Sequence, residues 1–313
     1  MDSTASVSMG LYRCIWRWHF YAGLFCIPFI IALAVSGSLY LFKPQIDSWN
    51  EQPYHDQVFQ GLEENAVHAA PEAQIAAALK AVPGARFADY RLPKTDSQAV
   101  LIGVNRSGKR ILVYIDPYNL QVLKTQAAEA QLVNIVRSFH GELLAGNLGS
   151  VLVELAGCWT IVLLVTGLYL WWPRSARGLA GVVYPRLRRG SRMFWRDLHA
   201  VTGIWIAGFT LFLLITGLPW ALVWGSAFKE LRQLNAPPQT QDWTLSRAEE
   251  QSIREAAGVQ SAALSPALLA SAESLQFASP AVLAPSRQTP GAWTLDSKHQ
   301  NRPLRAHALL SGA

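Results

Sequence analysis

Two histidines in this chain stand at the start of long apolar runs, where an imidazole can ligate a metal or carry a proton. His199 lies within Phe194 to Lys229, FWRDLHAVTGIWIAGFTLFLLITGLPWALVWGSAFK, beside the charged flank Arg196–Asp197. From Leu198 through Phe228 there is no Asp, Glu, Lys or Arg, and about 20 apolar residues suffice to cross a bilayer. Gly203 follows His199 by four residues, on the same helical face. A small residue one turn deeper than a boundary histidine leaves room for a flat, bulky ligand. His19 and Gly23 repeat the arrangement. A shift of 180 residues lays His19 on His199, Gly23 on Gly203 and Ser36-Gly37 on Thr216-Gly217. This is an internal repeat.

Paired histidines from facing helices are a standard way to hold haem iron. His19 and His199 both open spans that begin on the same side, so together they make a candidate bis-histidine site. Equally, each boundary histidine can snorkel to the headgroups. His140 stands just before another apolar run, at the opposite membrane face. The hydroxyl–glycine pairs Ser36-Gly37, Thr166-Gly167 and Thr216-Gly217 fit two readings, approach of a porphyrin or close packing of a neighbouring helix. Glu154, the carboxylate inside the second apolar run, suits a proton or propionate network or a partly hydrated position. No C-x-x-C-H occurs, which excludes covalent c-type haem attachment. Nor is there a P-loop, dinucleotide fingerprint, HExxH or nucleophile elbow to support nucleotide, flavin or hydrolytic chemistry.

The elements that must position these histidines are spans. Only 15% of the 313 residues are charged and twelve are Trp, whereas soluble domains carry about 25% charged residues. The expected segments are a cytoplasmic tail (1–15), a first span (16–43), an outer module (44–139) and a second span with its preceding interfacial turn (140–173). An Arg-rich connector (174–197), a third span (198–226) and an incomplete second outer module (227–313) follow. The connector holds seven Arg and one Asp, whereas Lys43 to Phe139 balances ten basic against ten acidic residues. Basic short connectors stay cytoplasmic, so the N-terminus is also inside and the histidine pair lies at the inner face. The same Arg cluster is a topology signal rather than a nucleic-acid site. The three Cys lie in or beside spans, so no disulfide framework is expected outside.

Within the outer module, 45–71 reads as an irregular linker and Glu72 to Val82 as a short amphipathic helix stopped by Pro83-Gly84. Strand-like runs follow at 86–92, 98–104, 110–116 and 120–123, with turns at Asn105-Arg106-Ser107-Gly108 and Asp116-Pro117-Tyr118-Asn119. The helix and meander ending in Val113-Tyr114-Ile115-Asp116-Pro117 resemble a PepSY domain. Trp16-Arg17-Trp18-His19, Ser138-Phe139-His140-Gly141-Glu142, Thr166-Gly167-Leu168-Tyr169-Leu170-Trp171-Trp172-Pro173-Arg174 and Phe194 to Gly217 resemble the PepSY-associated transmembrane family. That family includes inner-membrane ferric-siderophore reductases of the FoxB type.

The resemblance implies a multi-pass bacterial inner-membrane protein: an α-helical transmembrane bundle with an external α+β module. It implies haem b with His19, His199 and His140 as axial ligands and Gly23 and Gly203 lining the site. Partners would be membrane lipid, a ferric-siderophore and an unidentified electron donor, with no nucleic acid. Against the family pattern the chain is expected to be C-terminally truncated, without a fourth histidine-bearing span. One haem is therefore expected at the inner side, and an outer haem lacks the partner of His140. His299 and His307 precede no apolar run and are not assigned. Two functions fit these features: an electron-transfer protein acting as a ferric-siderophore reductase, or a non-enzymatic membrane-anchored PepSY module that binds peptides or regulates an envelope protease.

Overall fold

The computed structural model describes residues 2–60, 66–173, 178–235, 264–286 and 291–311. In chain order the helices are α1 (Asp2–Leu41), α2 (Lys43–Gln60), α3 (Pro71–Ala81), α4 (Leu132–Glu142), α5 (Gly146–Trp171), α6 (Ser191–Gly217), α7 (Leu222–Asn235) and α8 (Pro266–Ser274). The strands are β1 (Arg86–Arg91), β2 (Val100–Arg106), β3 (Lys109–Ile115), β4 (Val122–Ala127), β5 (Ala281–Pro285), β6 (Ala292–Ser297) and β7 (His307–Ser311). They form two compact units, one of residues 1–40 and 136–239, the other of 41–135 and 240–313.

The first unit is the bundle. Met9–Leu41, Gly146–Trp171 and Ser191–Trp220 are each long and apolar enough to cross a membrane. Large side chains such as Trp16, Leu24, Phe209 and Leu213 are exposed, as lipid-facing groups should be. Small ones are buried between helices: Ala22 and Cys26 on α1, Ala156 and Thr160 on α5, Ala207 on α6. In lipid no hydrophobic force drives helices together, so close packing over small residues takes that role.

Three details differ from the sequence expectation. The tail before residue 16 is already helical and continuous with the first span. The third span ends earlier than 226, because Pro219 cannot continue the helix. A 3-10 turn at Leu218–Trp220 separates α6 from α7. The turn before the second span is a full helix, α4, carrying His140. Its junction with α5 closes so tightly that a Cβ on Gly149 would clash with the Glu142 carbonyl oxygen.

The second unit is a seven-stranded antiparallel sheet in the order β4-β3-β2-β1-β5-β6-β7. Side chains alternate between its faces. Val100, Ile102 and Val104 of β2 join Ala78 of α3, Val82 just after it, Leu268 and Ala272 of α8, and Trp293 of β6 in one core. Leu101, Leu112 and Tyr114 face the other way, with Tyr54 of α2 packed on them. The β2–β3 turn uses positive φ at Ser107 and Gly108, the backbone that a tight two-residue hairpin requires.

Two expectations about this unit are corrected. The stretch taken for an irregular linker is helical over Lys43–Gln60, with 61–65 outside the described residues. Its inward face is Asp47, Glu51, Tyr54, His55 and Val58. That spacing is helical, but the residues are too polar to register as an apolar stripe. The segment taken for an incomplete second module supplies α8 and three strands to the same sheet. Residues 236–263 of that segment lie outside the described residues. β5 pairs antiparallel with β1, placing Tyr90 opposite Leu283 and Arg91 opposite Val282. Both α3 and α8 have proline in their first turn, and in each case the next strand starts fifteen residues after that proline.

Candidate functional site

His19 and His199 meet in the bundle. Their ring centroids are 6.1 Å apart with planes at 75°. Helical periodicity puts His19 on the face of α1 that carries Gly23 and Ala22 toward the other helices. His199 follows Asp197, which anchors the start of α6. Asp197 is fully buried. It accepts from Arg186 Nε at 2.6 Å and Nη2 at 2.8 Å, and from Arg196 Nη2 at 2.9 Å. Trp171 Nε1 of α5 donates to the Val182 carbonyl, and Trp205 Nε1 of α6 to that of Val183. The described part of the Arg-rich connector is thus tied to both helices that it joins. Arg174 and Arg177 lie outside the described residues.

The partner of the His19 ring on α5 is a backbone group. His19 Nδ1 lies 3.1 Å from the Leu163 carbonyl oxygen and 3.2 Å from Thr166 Oγ1. Gly167 makes the approach possible, since a Cβ there would sit 3.0 Å from His19 Cε1. Gly23, expected to line a ligand space, stands against Leu163, whose Cδ1 would lie 3.5 Å from a Cβ at that position. Gly203 has nothing within 4 Å of a Cβ placed on it, as is also true of Gly208 and Gly217 on the same helix.

His140 is not part of this pair. It docks on α1 about 26 Å further along, as 17 residues of helix rise. Its Nδ1 is 2.9 Å from Ser36 Oγ, and its Cε1 would be 3.3 Å from a Cβ on Gly37. The third hydroxyl–glycine pair, Thr216-Gly217, has nothing within 4 Å of its glycine. His299 and His307 belong to the sheet unit. His299 Nδ1 accepts from Asn301 N–H, and His307 Nδ1 lies 2.6 Å from Asp296 Oδ1.

Glu154 has a different task from either expected one. Its carboxylate accepts from Val223 N at 3.0 and 2.9 Å and from Trp224 N at 2.9 Å. It therefore caps the first turn of α7, whose N–H groups have no partner within the helix. Sequence reasoning missed this cap, the Asp197 clamp and the Leu163 carbonyl. Only Asp197 left a signal, as a lone acid amid seven Arg.

A profile for the PepSY-associated TM region matches residues 16–308, nearly the whole chain. The chain belongs to that family. It is a multi-pass inner-membrane protein of three apolar helices with a sheet-bearing module. No curated protein matches it.

The centroid separation of the pair is the one that two imidazoles sharing a haem iron would need. A metal about 2 Å from each imidazole nitrogen, with each nitrogen about 1 Å from its ring centre, places the two centroids about 6 Å apart. A ligating histidine characteristically engages its other ring nitrogen with a carbonyl or similar acceptor, as His19 does at Leu163. Among the described residues no group of three His, Cys, Asp or Glu is placed to hold a metal ion. A porphyrin supplies the equatorial ligands itself, so two histidines suffice for haem and not for a protein-only metal site.

Proposed function

We propose that the protein holds one haem b between His19 and His199 and works as an electron-transfer protein of the inner membrane. The carrying observation is the 6.1 Å approach of the two rings, with His19 Nδ1 already engaged and no side chain packed on Gly203. When bound, haem supplies one-electron chemistry. The residues hold and orient it: His19 from α1, His199 from α6, and the Leu163 carbonyl with Thr166 from α5 behind His19. The Asp197–Arg186 clamp fixes the azimuth of the second turn of α6 and thereby the direction of His199. Reduction of a ferric-siderophore is the finer reading and rests on the family resemblance alone. It is reasonable chemistry, because Fe(II) is the less strongly chelated ion. With the Arg-rich connector inside, the pair would lie at the cytoplasmic face.

A second reading is a non-enzymatic membrane-anchored PepSY module that binds peptides or regulates an envelope protease. Family membership supports it without further steps, and so does a cleft of about 450 Å³ in the sheet unit lined by Leu92, Lys94, Asp96, Glu273 and Phe277. Spectroscopy separates the two. With haem bound, the purified chain should show a Soret band of low-spin bis-imidazole character, which His19→Ala and His199→Ala each remove and His140→Ala leaves largely intact. A chain that takes up no haem from a hemin titration, yet binds extended peptides, would leave the second reading in place.

A further inference from the structure

We propose that Thr166–Gly167 and Ser36–Gly37 are positioning pairs that hold His19 and His140 as Nδ1–H tautomers, each with Nε2 bare as a Lewis base. This deepens the haem reading, but its first test needs no haem.

Counting protons assigns the tautomer. A hydroxyl has one proton to donate and a carbonyl oxygen has none. Thr166 Oγ1 lies 2.7 Å from the Val162 carbonyl oxygen, its own i−4 acceptor, and 3.1 Å from that of Leu163. Its proton is committed to the nearer, leaving only lone pairs for His19 Nδ1 at 3.2 Å. The Leu163 carbonyl, 3.1 Å from the same nitrogen, also can only accept. Nδ1 therefore carries the proton, and the neutral ring keeps an unprotonated Nε2. Ser36 repeats the hydroxyl half of the arrangement on α1, with its proton drawn to the nearer carbonyl. Its Oγ is 2.7 Å from the Ala32 carbonyl oxygen and 2.9 Å from His140 Nδ1. The glycine after each hydroxyl admits the ring edge: a Cβ would stand 3.0 Å from His19 Cε1 and 3.3 Å from His140 Cε1.

The chain contains its own controls. Thr216 bonds back to Phe212 and Leu213 at 2.9 and 3.3 Å in the same way, yet Gly217 has nothing within 4 Å. Other histidines hold the opposite tautomer when neutral. His55 Nδ1 accepts from Ala99 N–H at 3.2 Å, and His299 Nδ1 from Asn301 N–H at 3.1 Å. His68 Nε2 donates to the Asp96 carbonyl at 3.0 Å. His307, on the Asp296 carboxylate, is an Nδ1 donor of a different kind.

The test is 15N NMR of the haem-free, histidine-labelled full chain in lipid nanodiscs, above about pH 8 where imidazole is neutral. Single His→Gln substitutions assign the rings. His19 and His140 should show protonated Nδ1, against protonated Nε2 for His55, His68 and His299. Thr166→Val should shift the His19 ring alone and Ser36→Ala the His140 ring alone. Thr166→Ser should restore the first, and Thr216→Val should move neither. In a parallel hemin titration, Thr166→Val should weaken binding by at most about 10-fold, the low end of the usual effect, because the Leu163 carbonyl still accepts from Nδ1, with recovery in Thr166→Ser. A protonated Nε2 at His19, or a Thr166→Val spectrum no different from that of Thr216→Val, overturns the proposal. If the spectrum is as expected but the unsubstituted chain takes up no hemin, the haem reading fails and the positioning assignment stands.

Discussion

Replacing Glu154 should unfasten α7 from α5. The carboxylate is 7% exposed and accepts three contacts of 2.9–3.0 Å from the N–H groups of Val223 and Trp224. A hydrogen bond to a charged group contributes about 1.5–3 kcal/mol, and leaving a buried donor unpaired costs about 1–3 kcal/mol. Two donors are involved, but the Val223 and Trp224 side chains are about half exposed, so water or headgroups can partly replace the carboxylate. The net expectation is a loss of about 2–3 kcal/mol for Glu154→Leu and about 1 kcal/mol for Glu154→Gln, which keeps one acceptor. Reversible SDS unfolding in mixed micelles, followed by tryptophan fluorescence, measures it. Trp224 is a local reporter, since its Nε1 lies 3.4 Å from Cys158 Sγ. Equal stability of Glu154→Leu and wild type, within about 0.5 kcal/mol, would refute the cap.

Other outcomes follow from the same contacts. Leu283→Ala removes a fully buried side chain on β5 opposite Tyr90 and should cost about 2–5 kcal/mol. A double-mutant cycle with Tyr90→Ala should show coupling, and none would mean that β5 does not pair with β1. Burial holds the His55 imidazole below its usual value, with Glu51 opposing and Arg91 adding to the effect. Its neutral form is favoured in the fold, so stability is full above about pH 6.5 and falls as pH drops through that value toward the folded-state pKa. His55→Gln should flatten urea-unfolding midpoints across that window. Asp197→Ala leaves Arg186 and Arg196 without their buried acceptor. Trypsin should then cut the connector several-fold faster, while Lys298→Ala, at an exposed pair on the sheet, should not change that rate.

The spans and the histidine pair were legible because the signals are local and periodic: His19 with Gly23, His199 with Gly203, and long uncharged runs. The hydroxyl–glycine pairs were visible too, but nothing in the sequence says that two of them receive a histidine ring and the third does not. That depends on which helices face each other. The Leu163 carbonyl has no side-chain signature at all. α2 was unreadable because its buried face carries Glu51 and His55, which find Arg91 and the Ala99 N–H on the sheet. The seam between β1 and β5 joins residues nearly 200 positions apart through two residue pairs. Strands as short as Ala281–Pro285 and His307–Ser311 looked like fragments until the sheet they extend was seen.

The central claim is that His19 and His199 are axial partners of one iron. Low-temperature EPR of the ferric, hemin-loaded full chain tests it most directly. The account expects a low-spin bis-imidazole signal that either His19→Ala or His199→Ala converts to high spin, with His140→Ala unchanged. A high-spin signal in the unsubstituted chain, or a low-spin signal that survives both single substitutions, would contradict it.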